Sequence, residues 1–471
     1  MNLYEELAQQ LATQIQNRSL LLGDRLPGTR RLATKHRVSI NTVLQAQSLL
    51  ENWGMISAKP RSGYFVCWRG EDSAEHTIKL TEFNPAPQLV KNQKLVLDLV
   101  QNTEDKNLVQ FGAALPDSDF FPIKKLQRSA SHVIRTQDEL YSRYSFPPGD
   151  LNLRKQLSKR MHSKNCAVGP EELVITSGCH EAILLALKAL TKPGDIVALE
   201  SPTYYGLLQI IDSLQLKALE IPTSPREGMD QTALTQACKE WDIKACVIVS
   251  NFSNPLGCSA SLQQKKSILS ILTNNNIPLI EDNIYGDLSF DGFQPSTFKS
   301  LDTKGNVLYC NSCSKTVSPG LRVGWIAPGR YLEKVTYLKF TQTLATPTLD
   351  QQILCRYLME GNYDQHIRKI RAVLAAHIFQ IRALILKHFP PGTSVSKPEG
   401  GFVLWITMPR KFDSMRFYEL ALKNKISIAP GPLFTTGNKY KNCFRINCAL
   451  SWDNKIEQAI EVLGRIAVEF Y

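Results

Sequence analysis

Leu3, Leu7, Leu11 and Ile15 recur at every fourth position, the spacing that lays one apolar stripe along a helix. Gly23-Asp24-Arg25-Leu26-Pro27-Gly28 breaks that stripe with turn residues. A short helix over Thr29–His36 follows, with Leu32 and Ala33 pointing inward. Ser39 is then a good N-cap for a third helix from Ile40 to Trp53, with Val43, Leu44, Leu50 and Trp53 expected to face a core. Gly54 stops that helix. Ile56–Ala58 and Gly63–Val66 read as two short strands around the basic tip Lys59-Pro60-Arg61-Ser62. Three helices and a basic hairpin predict a winged helix-turn-helix over residues 1–68.

The pattern changes twice beyond this module. Residues 69–88 are polar and mixed in charge, the composition of a linker. Leu89–Val100 is apolar enough for a first helix, and after Phe111 short β-branched runs alternate with longer helical stretches. That alternation predicts an α/β domain over 89–471, with a smaller subdomain from about residue 340. Candidate strands are Leu173–Ile175, Ile196–Leu199, Ala245–Val249, Pro278–Ile280, Val307–Tyr309 and Val323–Ile326.

Charge sharpens the reading of the first module. Residues 1–68 carry eight Lys/Arg against four acids, in a chain whose net charge is +12. The third helix would present Ser39, Asn41 and Thr42 to the major groove, while Arg30, Arg31, Lys35 and Arg61 meet phosphates or a minor groove. The eleven cysteines are an odd number scattered over 471 residues, unlike a secreted disulfide framework, so a cytoplasmic chain with reduced thiols is expected. No apolar run approaches the roughly 18 residues of a membrane helix.

In open α/β sheets, ligands bind beyond the carboxyl ends of the strands, so the loops there carry the candidate chemistry. Thr176-Ser177-Gly178-Cys179-His180 opens a helix with small residues, a natural phosphate site. The adjacent Cys179 and His180 would not face each other and make a poor nucleophile pair. Tyr204 follows a strand end and could cover a flat ligand. Asn254 offers an amide in a turn, and Asp282 and Tyr285 close another strand. In Ser312-Cys313-Ser314-Lys315, followed by Pro319-Gly320-Leu321-Arg322, a lysine stands among hydroxyls with an arginine seven residues on. A lysine amine can form a Schiff base and an arginine fork can clamp phosphate, so the stretch suits a phosphorylated aldehyde. Cys310 and Cys313 could make half a zinc site, but no second pair stands at zinc-ribbon spacing, so no metal is expected.

Leu26-Pro27-Gly28-Thr29-Arg30-Arg31-Leu32-Ala33, Val38–Val43 and Arg61-Ser62-Gly63-Tyr64-Phe65-Val66 resemble the GntR family of bacterial regulators. The five loops, above all Ser314-Lys315-x-x-x-Pro319-Gly320-Leu321-Arg322-x-Gly324-Trp325, resemble fold-type I enzymes of pyridoxal 5'-phosphate, the aspartate aminotransferase superfamily. The combination resembles the MocR group of transcriptional regulators. That resemblance implies a winged helix joined to a large α/β/α domain with a small α/β subdomain. It further implies a homodimer that binds operator DNA in the bacterial cytoplasm.

Residue by residue, the resemblance implies that Lys315 holds the cofactor aldehyde and Asp282 pairs with the pyridinium nitrogen. It has Tyr204 stacking on the ring and Asn254 and Tyr285 bonding the phenolic oxygen. Ser177, Gly178, Cys179, Ser312 and Arg322 would bind the phosphate, with Tyr144 reaching it from a partner subunit. Arg445 would grip an α-carboxylate, with Asn254 beside the same ligand. Three positions depart from the family pattern: Cys179 where a hydroxyl is common, His180 where glutamine is frequent, and Ala114 where a glycine often sits. The expected function is a regulator that senses pyridoxal phosphate, or an amino acid or amine, through Schiff-base chemistry. The alternative is a working aminotransferase with a DNA-binding appendage.

Overall fold

The structure is a computed structural model that describes residues 3–16, 20, 24–36, 38–59, 63–66, 86–90, 93–137, 139–225, 228–292 and 295–470. The hairpin tip 60–62, which holds Arg61, and most of the expected linker lie outside the described residues. The chain divides into two compact units, Met1–Thr77 and Ile78–Tyr471.

The first unit contains α1 (Leu3–Gln16), α2 (Thr29–His36), α3 (Ile40–Asn52), β1 (Ile56–Lys59) and β2 (Gly63–Val66). Leu7, Leu11, Ile15, Leu32, Val43 and Leu50 form its core. The strands pair antiparallel, with Ile56 opposite Val66. Leu26 N–H donates to Tyr64 O and Val66 N–H to Asp24 O, both at 2.8 Å, so the turn before α2 edges the wing. Ser39 caps α3 as expected, its hydroxyl accepting from Thr42 N–H at 3.0 Å.

Leu44 and Trp53, expected in the core, are instead exposed at 45% and 39%. The buried stripe of α3 runs through Val43, Ala46, Gln47 and Leu50. Leu44 stands about 100° around the helix from Val43, off that stripe. Burying Gln47 is tolerable because Thr29 Oγ1 donates to its Oε1 at 3.1 Å.

The second unit opens with α4 (Gln93–Gln101), β3 (Val109–Gln110), α5 (Ile123–Thr136) and α6 (Leu151–His162). There follow β4 (Val174–Thr176), α7 (Cys179–Leu190), β5 (Ile196–Ser201), α8 (Tyr205–Ser213), β6 (Lys217–Ser224) and β7 (Gly228–Met229). Next come α9 (Gln231–Glu240), β8 (Ile243–Val249), α10 (Leu262–Asn274), β9 (Leu279–Asp282), β10 (Val307–Ser312) and β11 (Gly324–Ala327). These strands form one eight-stranded sheet in the order β4-β11-β10-β9-β8-β5-β6-β7. The run from β10 through β9, β8 and β5 to β6 is parallel, whereas β11 lies antiparallel to β10 and β4.

Both faces of the sheet are covered, which is why its strands read as continuous apolar runs. Val197, Leu199, Ala245 and Val247 pack with Leu207 and Ile211 of α8 and residues of α7. The alternate residues Ala198, Cys246 and Ile248 pack with Leu234 of α9 and Ile268 and Leu272 of α10. The parallel strands all end on one edge of the sheet, where the polar turns after β5, β8, β9 and β10 gather.

The chain continues through α11 (Leu332–Thr343), α12 (Thr348–Met359), α13 (Asn362–His388), β12 (Ser394–Val395), β13 (Val403–Thr407) and α14 (Ser414–Lys423). It ends with β14 (Ile426–Ser427), β15 (Ala429–Pro430), β16 (Cys443–Asn447) and α15 (Asn454–Val468). A second, antiparallel sheet runs β12-β13-β16-β15, while β14 pairs in parallel with β3. That pairing draws Val96, Leu99 and Phe111 into one core with Trp405, Phe444 and Leu463. Among the described residues, no helix is long and apolar enough to cross a membrane.

Replacing Ser39 with alanine removes the α3 cap and should cost the first unit about 1 kcal/mol. Calorimetry of the full chain should show the melting transition of that unit lowered, with the larger unit unmoved; an unchanged first transition would contradict the capping role.

Candidate functional site

Lys315 lies in the turn between β10 and β11, where the chain crosses the edge at which the parallel strands end. Its Nζ donates to Ala114 O at 2.7 Å. Burial lowers the lysine pKa to about 8, and the positive charges of Arg445 and Arg322 push it the same way while Asp282 opposes them. A lysine so placed holds a larger neutral fraction, the form that attacks a carbonyl.

Asp282 ends β9 and is buried. Its Oδ1 accepts from Ile284 N–H at 3.0 Å and from Cys179 Sγ at 3.3 Å. Among the described residues no donor reaches Oδ2. Burial raises its pKa to about 6, against the pull of those two donors and of Lys315. The thiol of Cys179 therefore faces the carboxylate, while His180 is exposed one residue on. Cys310 and Cys313 are buried free thiols, and Cys313 Sγ donates to Val323 O at 3.3 Å.

Tyr204 and Tyr205 follow β5, their ring centroids 4.8 Å apart. Tyr285 is buried and meets Phe402 edge-on at 5.5 Å. Burial pushes its phenol pKa well up, and Asp282 adds to that, with Arg445 in opposition. Asn254 is buried too, and neither its Oδ1 nor its Nδ2 has a hydrogen-bond partner. A buried amide with both ends unsatisfied is costly, and it fits a ligand oxygen arriving beside Tyr285.

The turn after β4 supplies a cradle. Gly178 has φ +88°, and a Cβ there would lie 2.5 Å from Arg322 Nη2. Glycine is thus required by backbone conformation, and a side chain there would push the Arg322 fork aside. Arg322 is exposed, donating to Ser177 O at 2.8 Å and to Ser314 Oγ at 3.5 Å. Ser314 N–H in turn donates to Ser312 Oγ at 3.3 Å. Cys179 begins α7, so its N–H belongs to the unpaired first turn. A guanidinium, a helix start and hydroxyls around one glycine turn suit a phosphate.

Arg445 comes from the second sheet, on β16, and is completely buried. Its Nη2 donates to Gly112 O at 2.6 Å, but Nε and Nη1 have no partner. Burial lowers its pKa, and the nearby phenols of Tyr205, Tyr285 and Tyr204 offset part of that. Two orphaned donors on a buried guanidinium fit a carboxylate.

Lys315, Asp282, Tyr204, Asn254, Tyr285, Ser177, Gly178, Cys179, Ser312, Arg322 and Arg445 thus lie around one strand-end edge. Tyr144 stands elsewhere, 67% exposed, with its ring 5.3 Å from that of Phe146. Ser314, Tyr205 and the carbonyls of Gly112 and Ala114 also belong to the site; of these residues only Ala114 was singled out from sequence, as a departure from glycine. Ser314 was legible as a second hydroxyl beside the lysine, whereas the carbonyls carry no sequence signal. On the first unit Arg30, Arg31, Ser39 and Asn41 are exposed and Thr42 half-buried. The Ser39 hydroxyl is engaged as the cap, and the exposed face of α3 also carries Ile40, Leu44, Gln45 and Ser48.

Residues 108–463 match the family model for class I and II aminotransferases, and residues 3–66 match that for bacterial regulatory proteins of the gntR family. Two Escherichia coli proteins, the uncharacterized HTH-type transcriptional regulators YjiR and YdcR, are each 36% identical to this chain. The first alignment covers 98% of both chains and the second 100% of both. The crystal structure of LysN, an α-aminoadipate aminotransferase from Thermus thermophilus complexed with N-(5'-phosphopyridoxyl)-L-leucine, is 26% identical with a TM-score of 0.74. It covers 80% of this chain and 94% of its own.

The larger unit is therefore a fold-type I aminotransferase domain, and the chain belongs to the class I and II aminotransferase family. With the gntR-type winged helix at its front, it is an HTH-type transcriptional regulator of the MocR architecture.

The lowered pKa of Lys315 makes a signed prediction. Reductive labelling of Lys315 by a small aldehyde should accelerate with pH through a midpoint near 8, as the amine loses its proton. A midpoint above about 10, that of an unperturbed lysine, would contradict the site's electrostatics.

Proposed function

We propose that the larger unit binds pyridoxal 5'-phosphate at Lys315 and senses an amino acid or amine that reacts there, and that this event controls DNA binding in the cytoplasm. The observation that carries the reading is the set of orphaned buried donors and acceptors around Lys315: both amide atoms of Asn254 and two nitrogens of Arg445. The bound cofactor would supply an aldehyde open to amines and a ring that takes up electron density.

The residues divide the work by their chemistry. Lys315 would hold the aldehyde carbon, and the free Oδ2 of Asp282 would keep the ring nitrogen protonated. Tyr204 would cover the ring, while Asn254 and Tyr285 would bond its phenolic oxygen. Ser177, Gly178, Cys179, Ser312 and Arg322 would hold the phosphate, joined now by Ser314. Arg445 would take the carboxylate of an amino acid, and Asn254 would lie beside the same ligand.

A homodimer fits the surface of the larger unit. Tyr141, Tyr144, Phe146, Tyr337 and Phe340 are large, exposed and apolar. The rings of Phe146 and Phe340 lie 6.3 Å apart, beside an open groove of about 520 Å³ lined by Pro147, Pro148 and Tyr337. Such a patch favours self-association, which would let Tyr144 reach the partner's phosphate site and would present two winged helices to a repeated half-site. In each, Asn41 and Thr42 would read bases from α3, with Ser39 at its start. Arg30, Arg31 and Arg61 would hold the backbone. The presence of Lys315, Asp282 and Arg445 together also favours a second reading, in which the domain transaminates. Release of more than one equivalent of keto acid per site, with a second keto acid supplied as amino-group acceptor, would distinguish turnover from sensing.

Two experiments test the proposal. Borohydride treatment of the protein with pyridoxal phosphate should fix the cofactor to the Lys315 peptide, detected by mass spectrometry. Label on another lysine, or none, would overturn the cofactor reading. For the DNA half, Arg30→Ala should lower the salt slope of binding by about one unit for every sequence tested. A changed base preference with an unchanged slope would instead place Arg30 on the bases.

A further inference from the structure

Behind the Ser177–Gly178–Cys179 turn lies an ion pair that the site described above does not use. Glu181, in the first turn of α7, meets Lys339 of α11 at 2.8 Å, with both side chains buried. The Glu181 carboxylate accepts from three donors: Ser177 N–H at 2.5 Å and Lys339 Nζ at 2.8 Å on Oε2, and Thr343 Oγ1 at 2.8 Å on Oε1. Lys339 Nζ also donates to Thr343 Oγ1 at 2.7 Å.

A buried ion pair is a weak source of stability, because desolvation consumes most of the attraction. Its placement is more informative. The two peptides flanking Ser177 are each held: the preceding one through Ser177 N–H donating to Glu181, the following one through Ser177 C=O accepting from Arg322 Nη2 at 2.8 Å. With the peptide on each side of Ser177 pinned, the backbone torsions at its Cα are fixed, so the following N–H groups and the Arg322 fork keep a fixed mutual orientation. Lys339 and Thr343 anchor the carboxylate to α11, outside the turn itself. Glu181 does not face the anion; it acts through the backbone that does.

We propose that Glu181 and Lys339 are positioning residues for phosphate recognition, fixing the backbone at Ser177 so that the turn and Arg322 converge on one anion. This inference rests on the cofactor reading above. It predicts that their loss weakens recognition of the phosphate and leaves recognition of the rest of the ligand in place.

The test is spectrophotometric titration of the full chain with pyridoxal 5'-phosphate and with pyridoxal, which lacks the phosphate. Glu181→Leu combined with Lys339→Met removes both charges together. Glu181→Gln combined with Lys339→Met keeps an oxygen for the Ser177 N–H. The Leu/Met protein should lose about tenfold or more of the preference for the phosphorylated form while pyridoxal binding changes by less than about threefold, and the Gln/Met protein, which keeps the acceptor but not the Lys339 anchor, should recover part of the preference. An undiminished preference in the Leu/Met protein, or equal weakening for both ligands, would overturn the proposal. Should that protein fail to fold, Thr343→Val decides: it removes one donor and leaves the ion pair, so the preference should fall by about threefold, and an unchanged preference overturns the proposal. If the unaltered protein binds neither form, it is the cofactor reading that fails.

Discussion

An excess of positive charge at one edge of the sheet governs this structure. Lys315, Arg322 and Arg445 converge there, and Asp282 is the carboxylate set among them. Lys315 can respond by giving up its proton, and its pKa falls accordingly to about 8. Arg445 cannot, since a guanidinium stays charged in proteins. Buried with one hydrogen bond and two idle donors, it carries a desolvation cost that the neighbouring phenols offset only in part and that an anion from outside would offset further. Asn254, unsatisfied at both ends, makes the same demand in neutral form.

The fold explains how such a pocket is held together. Asp282 and Lys315 come from the ends of β9 and β10 in the large sheet, whereas Arg445 comes from β16 in the small one. A second buried carboxylate fastens the two parts nearby. Glu220 on β6 accepts from Ser201 Oγ at 3.2 Å, Thr435 Oγ1 at 2.8 Å, Thr436 N–H at 2.7 Å and Lys439 Nζ at 3.2 Å. Thr436 Oγ1 donates to Gln88 Oε1 at 3.3 Å, and the backbone of Gln88 pairs with Ala218 of β6. The first described residues after the polar stretch are thus bonded both to the large sheet and to the loop that precedes the strand carrying Arg445.

Much of this was legible in the residues, for specific physical reasons. A lysine among hydroxyls with an arginine seven residues on is a local pattern, as is a glycine turn opening a helix. Both announce their chemistry without knowledge of the fold. Long-range pairings do not. Lys339 lies 158 positions from Glu181, and each alone reads as an ordinary charge on a helix. The strand β6 escaped notice because Glu220 and Pro222 interrupt its apolar run, yet Glu220 is the buried fastening described above. On α3 the apolar residues Leu44 and Trp53 suggested the core, but the helix turns its buried face through Ala46 and Gln47 instead. Residue hydrophobicity misled there because the small unit exposes the helix face adjacent to its core stripe.

Lys315, half-buried at the strand-end edge, is proposed to link an amine signal to DNA binding. Operator affinity should be measured by fluorescence anisotropy on the cofactor-loaded full chain, against a panel of amino acids and simple amines. A ligand must favour one arrangement of the protein to shift the equilibrium at all. At least one panel member should change operator affinity by about 5–150-fold in the unaltered protein and leave the Lys315→Ala protein unmoved. An equal shift in both proteins, or none in either, would contradict that link.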